Sequence, residues 1–156
     1  MDLKGLVSIP GKPGLYRIVS QVKSATLVES LIDNSKFPIY MSDKGAQLEP
    51  ITILAGGKEV KLTDIMDIIY KKESGGTCID SKSEPKLIAK YFEEILPTYD
   101  KSKVYTSDIR KILQWYNFLQ SKGLLKFNEN KEEKTNEESS TEKPADETAD
   151  NKENKE

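Results

Sequence analysis

Five groups of residues in this chain have types and spacings that invite a chemical reading. Gly11-Lys12-Pro13-Gly14 places a lysine among glycines, as a phosphate loop does. Such a loop needs Gly-Lys followed by Ser or Thr at the opening of a helix, four spacer residues after an earlier glycine. Here Pro13 follows the lysine and an alternating run comes next, so the segment reads as a structural turn. Gly75-Gly76-Thr77-Cys78 sets the only cysteine in a glycine-rich loop. A reactive thiolate needs a neighbouring base or a helix N-terminus. With no histidine in the chain, activation would rest on Lys71 or Lys72, and an inert, partly buried thiol is expected.

Glu93-Glu94 and the pair Asp64/Asp67 are carboxylates on helical stretches. Adjacent helical residues do not face each other, and residues three apart usually share a solvated face, so neither pair is expected to work as an acid–base couple. Trp115-Tyr116, with Tyr99 and Tyr105, offers aromatic surface for a base or a peptide. Tyr116 falls on a helical apolar stripe and is expected in the core. Trp115 flanks that stripe and is the candidate for a partner surface, where aromatics are enriched.

Basic residues form the last group. Lys12, Arg17, Lys23, Lys36 and Lys44 lie in the first third of the chain, and Lys101, Lys103, Arg110 and Lys111 gather around the start of a later helix. Arg110 and Lys111 follow a helix N-terminus, where free amides favour phosphate. Asp100 and Asp108 interleave with them.

The charge is unevenly spread. Residues 1–128 carry nineteen Lys or Arg against fifteen Asp or Glu, a net of +4, and residues 129–156 carry five against eleven, a net of −6. A body of +4 is mildly basic, short of the clustered charge of most nucleic-acid-binding domains. The absence of histidine removes the commonest general base and metal ligand. A single cysteine excludes an intrachain disulfide and a thiolate zinc cluster. No cofactor or metal is expected, and the chain is not expected to be an enzyme. The opening MDLKGLVSIP lacks the basic and apolar regions of a signal peptide, and no run approaches the ~20 apolar residues of a membrane span. A cytoplasmic protein with no membrane partner is the expectation.

The elements that must position these residues change type along the chain. Leu3–Ile9, Leu15–Val22, Thr26–Ile32, Phe37–Met41 and Ile51–Leu54 read as strands divided by turn residues. Leu15–Val22 alternates, with Tyr16, Ile18 and Val22 on one face, and Pro38 implies an edge strand. Five short strands within residues 1–57 predict a small antiparallel SH3-like β-barrel, an open meander packed on helices being the alternative.

Residues 58–128 predict a three-helix module. The first helix spans Leu62–Glu73, opening at Thr63 and burying Leu62, Ile65, Met66, Ile68 and Ile69. The second is capped by Ser83 with Pro85 in its first turn and carries the apolar stripe Leu87, Ile88, Tyr91, Phe92, Ile95 and Leu96. The third is capped by Thr106 or Ser107 and buries Ile109, Ile112, Leu113, Tyr116 and Leu119. Gly123 stops it, and Leu124, Leu125 and Phe127 fold back on its last turn. Residues 129–156 have no Val, Ile, Leu, Met or aromatic residue and form an acidic tail expected to be disordered. The fold class is therefore α+β.

The opening Met1-Asp2-Leu3-Lys4-Gly5, the turn Gly11-Lys12-Pro13-Gly14-Leu15-Tyr16 and the blocks Val104-Tyr105, Ser107-Asp108-Ile109 and Trp115-Tyr116-Asn117 resemble a family of unknown function common in Bacteroidetes. The resemblance covers about residues 1–127. It implies an N-terminal β module followed by a helical module and transfers no catalytic or ligand residues.

These features point to a non-catalytic binding module. One expectation is DNA or RNA held by a mildly basic face of Lys12, Arg17, Lys23, Lys101, Lys103, Arg110 and Lys111, with the acidic tail competing for it. The alternative is a protein-interaction adaptor that uses the barrel and the surface around Trp115.

Overall fold

The turn chemistry of the first 50 residues produces strands that are short, and their shortness decides how they assemble. In the computed structural model, which describes residues 1–125, β1 (Leu6–Ser8), β2 (Tyr16–Gln21), β3 (Thr26–Ser30), β4 (Lys36–Ile39) and β5 (Ala46–Gln47) form one antiparallel sheet in the order β4-β3-β2-β1-β5. A second sheet is the hairpin of β6 (Thr52–Ala55) and β7 (Lys58–Lys61). Three helices follow: α1 (Leu62–Lys72), α2 (Pro85–Ile95) and α3 (Thr106–Ser121).

The five-stranded sheet is not closed, which corrects the expected SH3-like barrel to an open α+β arrangement. The strands β4 and β5 form its two edges and do not pair. β5 offers only Ala46 and Gln47, both taken up by β1, so little backbone remains to reach β4. Its connection to β4 instead lies across one sheet face. There Gly45 passes so close that a Cβ would stand 3.1 Å from Ile39 Cδ1 and 3.2 Å from Val7 Cγ1. β4 is an edge strand, as Pro38 requires.

Two further differences have local causes. The strand expected at Ile51–Leu54 is not the last of the β module, because Gly56-Gly57, both holding positive φ, turn the chain back into β7. A bulge between Ile18 and Ser20 adds a residue to β2, so the alternation breaks and Val22 is left 64% exposed instead of on the Tyr16 face.

The sheet has two apolar faces. Val7, Tyr16, Val28 and Ile39, with Ile9, form a small cluster, flanked by Ile18 and by Phe37, whose ring meets Tyr16 edge-on at 5.5 Å. From the other face Leu6 and Leu15, joined by Met1, Leu3 and Leu48, enter the main core, where they meet Ile53 and Ala55 of the hairpin and the helices. The main core is thus shared by residues from both ends of the chain.

Each helix buries one stripe, narrower in α1 and α2 than expected, because Ile68 and Leu87 lie at the margin of the apolar face and turn to solvent. α1 buries Leu62, Ile65, Met66 and Ile69 and turns Ile68 outward; α2 buries Ile88, Phe92 and Ile95 and leaves Leu87 exposed; α3 buries Ile109, Ile112, Leu113, Tyr116 and Leu119. The expected side-chain caps do not form. Thr63, Ser83, Thr106 and Ser107 all miss the cap position, which falls on Lys61, Glu84 and Tyr105. At α3 the Asp108 carboxylate instead accepts the Tyr105 N–H at 3.2 Å. Gly123, at φ +66°, ends α3, and Leu124 and Leu125 fold onto the main core. Phe127 and the acidic tail at 129–156 lie outside the described residues.

No helix among the described residues is long and apolar enough to cross a membrane. Gly14 sits at φ +77°, and a Cβ there would stand 2.7 Å from Ile32 Cδ1 and 3.2 Å from Phe118. Gly11, at φ +80°, has nothing within 4 Å of that position. Gly11→Ala should therefore cost roughly 1–2 kcal/mol in urea unfolding, the left-handed backbone penalty alone. Gly14→Ala should cost more, by up to about 1–3 kcal/mol of added crowding.

Candidate functional site

The third helix sorts its side chains into sectors. At 100° per residue, Arg110 and Asn117 fall on one flank of the buried stripe, with Gln120 just inside that edge, and Asp108, Lys111 and Trp115 fall on the other flank. The first flank holds the loop between α1 and α2. Arg110 donates from Nη1 to the Ser81 carbonyl at 3.0 Å and from Nη2 to the Ser83 carbonyl at 3.1 Å. Asn117 accepts the Cys78 N–H at 2.8 Å and donates to the Cys78 and Ile79 carbonyls. The Tyr116 hydroxyl donates to the Gly76 carbonyl at 2.9 Å, and Gln120 reaches the Gly75 carbonyl. Loops must satisfy their buried backbone groups, and here one helix does it with side chains.

Cys78 lies beneath this loop, buried, with its Sγ toward the Leu113 and Ile79 carbonyls. Burial pushes its thiol up to about 12, with the Glu73 charge adding to the effect. Tyr116 is likewise pushed up to about 12 by burial, and burial with the Glu73 hydrogen bond raises Tyr91. A thiol held protonated in this way is a poor nucleophile.

The helical carboxylates are partnered one at a time. Glu94 accepts from Lys72 at 2.8 Å and Glu93 from Lys101 at 3.2 Å. The Met1 amine donates to Asp67 Oδ2 and faces its Oδ1 at 2.8 Å as an ion pair. No group of three or more metal-ligating side chains occurs among the described residues.

The second flank of α3 opens on a cleft of about 630 Å³, within the size range of ligand sites. Its walls come from three places: Pro10 and Ala46 at the β5 edge, Ile51–Leu54 of the hairpin, and α3 with the loop before it. Val104, Ile112 and half-buried Trp115 supply apolar surface, and Lys103 and Lys111 stand exposed at the rim. Glu59 lies on the hairpin side, and Asp108 is already engaged with Tyr105.

Of the eight residues singled out from sequence, Lys103, Lys111 and Trp115 therefore converge. The other five do not join them. Arg110 is committed to the loop and Lys101 to Glu93. Lys12 lies over the Phe37 ring at 4.8 Å, and Lys23 sits at the β2–β3 turn beside a second concavity of about 380 Å³. Arg17 lies across from Glu29, which lies across from Lys36, so the register alternates charge on that face. Sequence reasoning missed Ile51–Leu54 as a cleft wall, although their apolar character was visible. What was missing was β7, whose pairing turns that strand into a hairpin wall.

Asn117→Ala should lower stability by about 1–3 kcal/mol, because the Cys78 N–H loses its buried acceptor. Thiol labelling with Ellman's reagent should be slow in the parent protein at pH 8 and faster in that variant. Because the native thiol titrates at about 12 instead of its ordinary 9.0, the unfolded chain releases its proton first as pH rises. Stability should be unaffected by this group below pH 9 and should fall between 9 and 12, readable as a declining urea midpoint.

Two family models match the chain, each described as a domain of unknown function: DUF5606 over residues 3–48 and DUF6852 over residues 51–119. The first takes in all five strands of the large sheet, and the second the hairpin and the helices up to Leu119. No curated protein matches. A solution NMR structure of a Bacteroides vulgatus protein, a structural-genomics target, is similar at 36% identity and a TM-score of 0.69, over 81% of this chain and 91% of that one. The chain belongs with that protein to a family that joins an N-terminal β module to a C-terminal helical module, matched here by the two domain models of unknown function.

Proposed function

We propose that this protein is a non-catalytic binding module that holds a segment of a partner protein in the cleft beside Trp115. The observation that carries this reading is the convergence of Trp115, Lys103 and Lys111 on one apolar cleft at the junction of sheet, hairpin and helix. A large, half-buried aromatic flanked by mobile cations is the usual make-up of an interaction anchor. The dispersal of the remaining cations supports a protein partner over nucleic acid. A phosphate backbone calls for a continuous basic track. Here Arg17 faces Glu29, Lys101 holds Glu93, and Arg110 is turned to the loop.

The chemistry available is recognition. The one thiol is buried, the helical carboxylates named above are neutralised singly, and the sequence holds no histidine.

Peptides selected against the full chain from a random display library test the proposal, with the single tryptophan as the fluorescent reporter. Binding should shift its emission and should weaken about tenfold or more in Lys111→Glu, a substitution on an exposed side chain that leaves the fold intact. Titration with duplex DNA and single-stranded RNA should give no affinity that falls steeply with salt. Tight, salt-steep binding of either nucleic acid, with no effect of Lys111→Glu on the selected peptides, would overturn the reading.

A further inference from the structure

We infer that the partner segment binds as an extended strand along the open edge of β6, with acidic side chains set against Lys103 and Lys111. This rests on the cleft reading above and adds the mode of recognition. The hydrogen-bond phase of the hairpin supplies the first argument. The Leu62 N–H donates to the Ile51 carbonyl at 2.9 Å, closing the β7 side at that residue. In an antiparallel pair the bonded side alternates from residue to residue, so Thr52 and Leu54 aim their peptide groups away from β7.

The Leu54 carbonyl confirms the phase, accepting the Asp100 N–H at 2.9 Å from the far side. There the segment Thr98–Asp100 begins a third strand beside β6: Ala55 bridges Tyr99, and the Gly56 N–H reaches the Thr98 carbonyl at 2.7 Å. That strand stops at once, because the Lys103 and Val104 amides turn back onto the Asp100 carbonyl. The edge at Thr52 is therefore left without a strand neighbour among the described residues, and it faces the cleft.

An edge of this kind is normally guarded by charge, proline or a bulge. Thr52-Ile53-Leu54 has none of these. Across the cleft, β5 is the terminal strand of the large sheet, so two strand edges open on the same space. A strand laid there continues the ladder that Thr98–Asp100 begins and places alternate side chains against Val104, Ile112 and Trp115.

Charge identifies the chemistry of the segment. Neither Lys103 nor Lys111 has an ion-pair partner within 4 Å among the described residues, and both stand near the positive end of α3. Asp108, which also lines the cleft, accepts the Tyr105 N–H and keeps its charge, so that wall carries two cations against one carboxylate. The α3 wall therefore presents net positive charge to the cleft, and Glu59 on the opposite wall sets the polarity. The occupant is an extended peptide with apolar residues at alternate positions and Asp or Glu on the side of α3.

An N-methyl scan of the selected 12-residue peptides tests this with the full chain. Methylating a backbone nitrogen removes one ladder donor and leaves the side chains unchanged. Affinity should fall about tenfold or more at the one or two positions whose amides meet the edge at Thr52 and change little at the others. The selected sequences should be enriched in Asp and Glu, and the double variant Lys103→Glu, Lys111→Glu should weaken them and favour Lys-bearing counterparts. Uniform tolerance of N-methylation, in peptides that still lose binding to Lys111→Glu, overturns strand addition and leaves the cleft reading standing. Peptides without acidic enrichment that ignore the double variant overturn the charge assignment. If no peptide is selected, or all bind Trp115→Ala and Lys111→Glu as well as the parent, the cleft reading fails and this inference with it.

Discussion

Between Arg110 and Gln120, α3 does two jobs with two adjacent faces. Ile109, Ile112, Leu113, Tyr116 and Leu119 are buried in the main core, while Arg110, Asn117 and Gln120 donate to carbonyls of residues 75–83. Apolar burial is non-directional and leaves a helix free to rotate by small amounts. Hydrogen bonds to a fixed backbone remove that freedom, since a shift would leave buried donors or acceptors unmet. Helix rotation is thereby set, and with it the sector on which Lys111 and Trp115 stand. The block Trp115-Tyr116-Asn117 spans these roles in three consecutive residues: cleft, core and loop anchor.

The sheet illustrates a different constraint. A five-stranded barrel closes only when its edge strands are long enough to find each other, and the edge strands β4 and β5 have four and two residues. Left open, the sheet completes its cores by other means. One face is covered by the close passage of Gly45 over Val7 and Ile39, and the other lends Leu6 and Leu15 to the helices. Failure to close is also what leaves the β5 edge available at the cleft. The candidate site thus arises from the same shortness of strand that sets the fold.

Electrostatics on the surface follows register more than composition. The first 128 residues carry a net of +4, yet among the described residues strand pairing sets Glu29 between Arg17 and Lys36 and helix packing brings Glu93 to Lys101. Exposed pairs of this kind contribute little to stability. In the proposed reading they bear on partner choice, since each one engages a cation that a polyanion would otherwise take up. The cations that remain at the cleft stand beside an apolar floor, a setting suited to a mixed apolar and acidic segment.

Periodicity alone identified the three helices and each of the five core residues of α3, because a 3.6-residue repeat is a local property of the chain, while Ile68 and Leu87, expected in the stripes of α1 and α2, are exposed. It also identified the edge role of β4 through Pro38 and the turn at Gly11–Gly14 through the conformations that only glycine adopts readily. The inert setting of Cys78 was legible from the missing histidine. Sheet closure, the bulge at Val19 and the second strand of the hairpin were not legible, since each depends on which strands meet across many residues. The same holds for the site. The sequence favoured Arg110 and Lys111 together at a helix N-terminus, and only packing decided that Arg110 turns to a loop while Lys103, Lys111 and Trp115 share a cleft. Spacing places a side chain on a face of its own element, but what that face meets is set by long-range contacts, and contacts are what make a site.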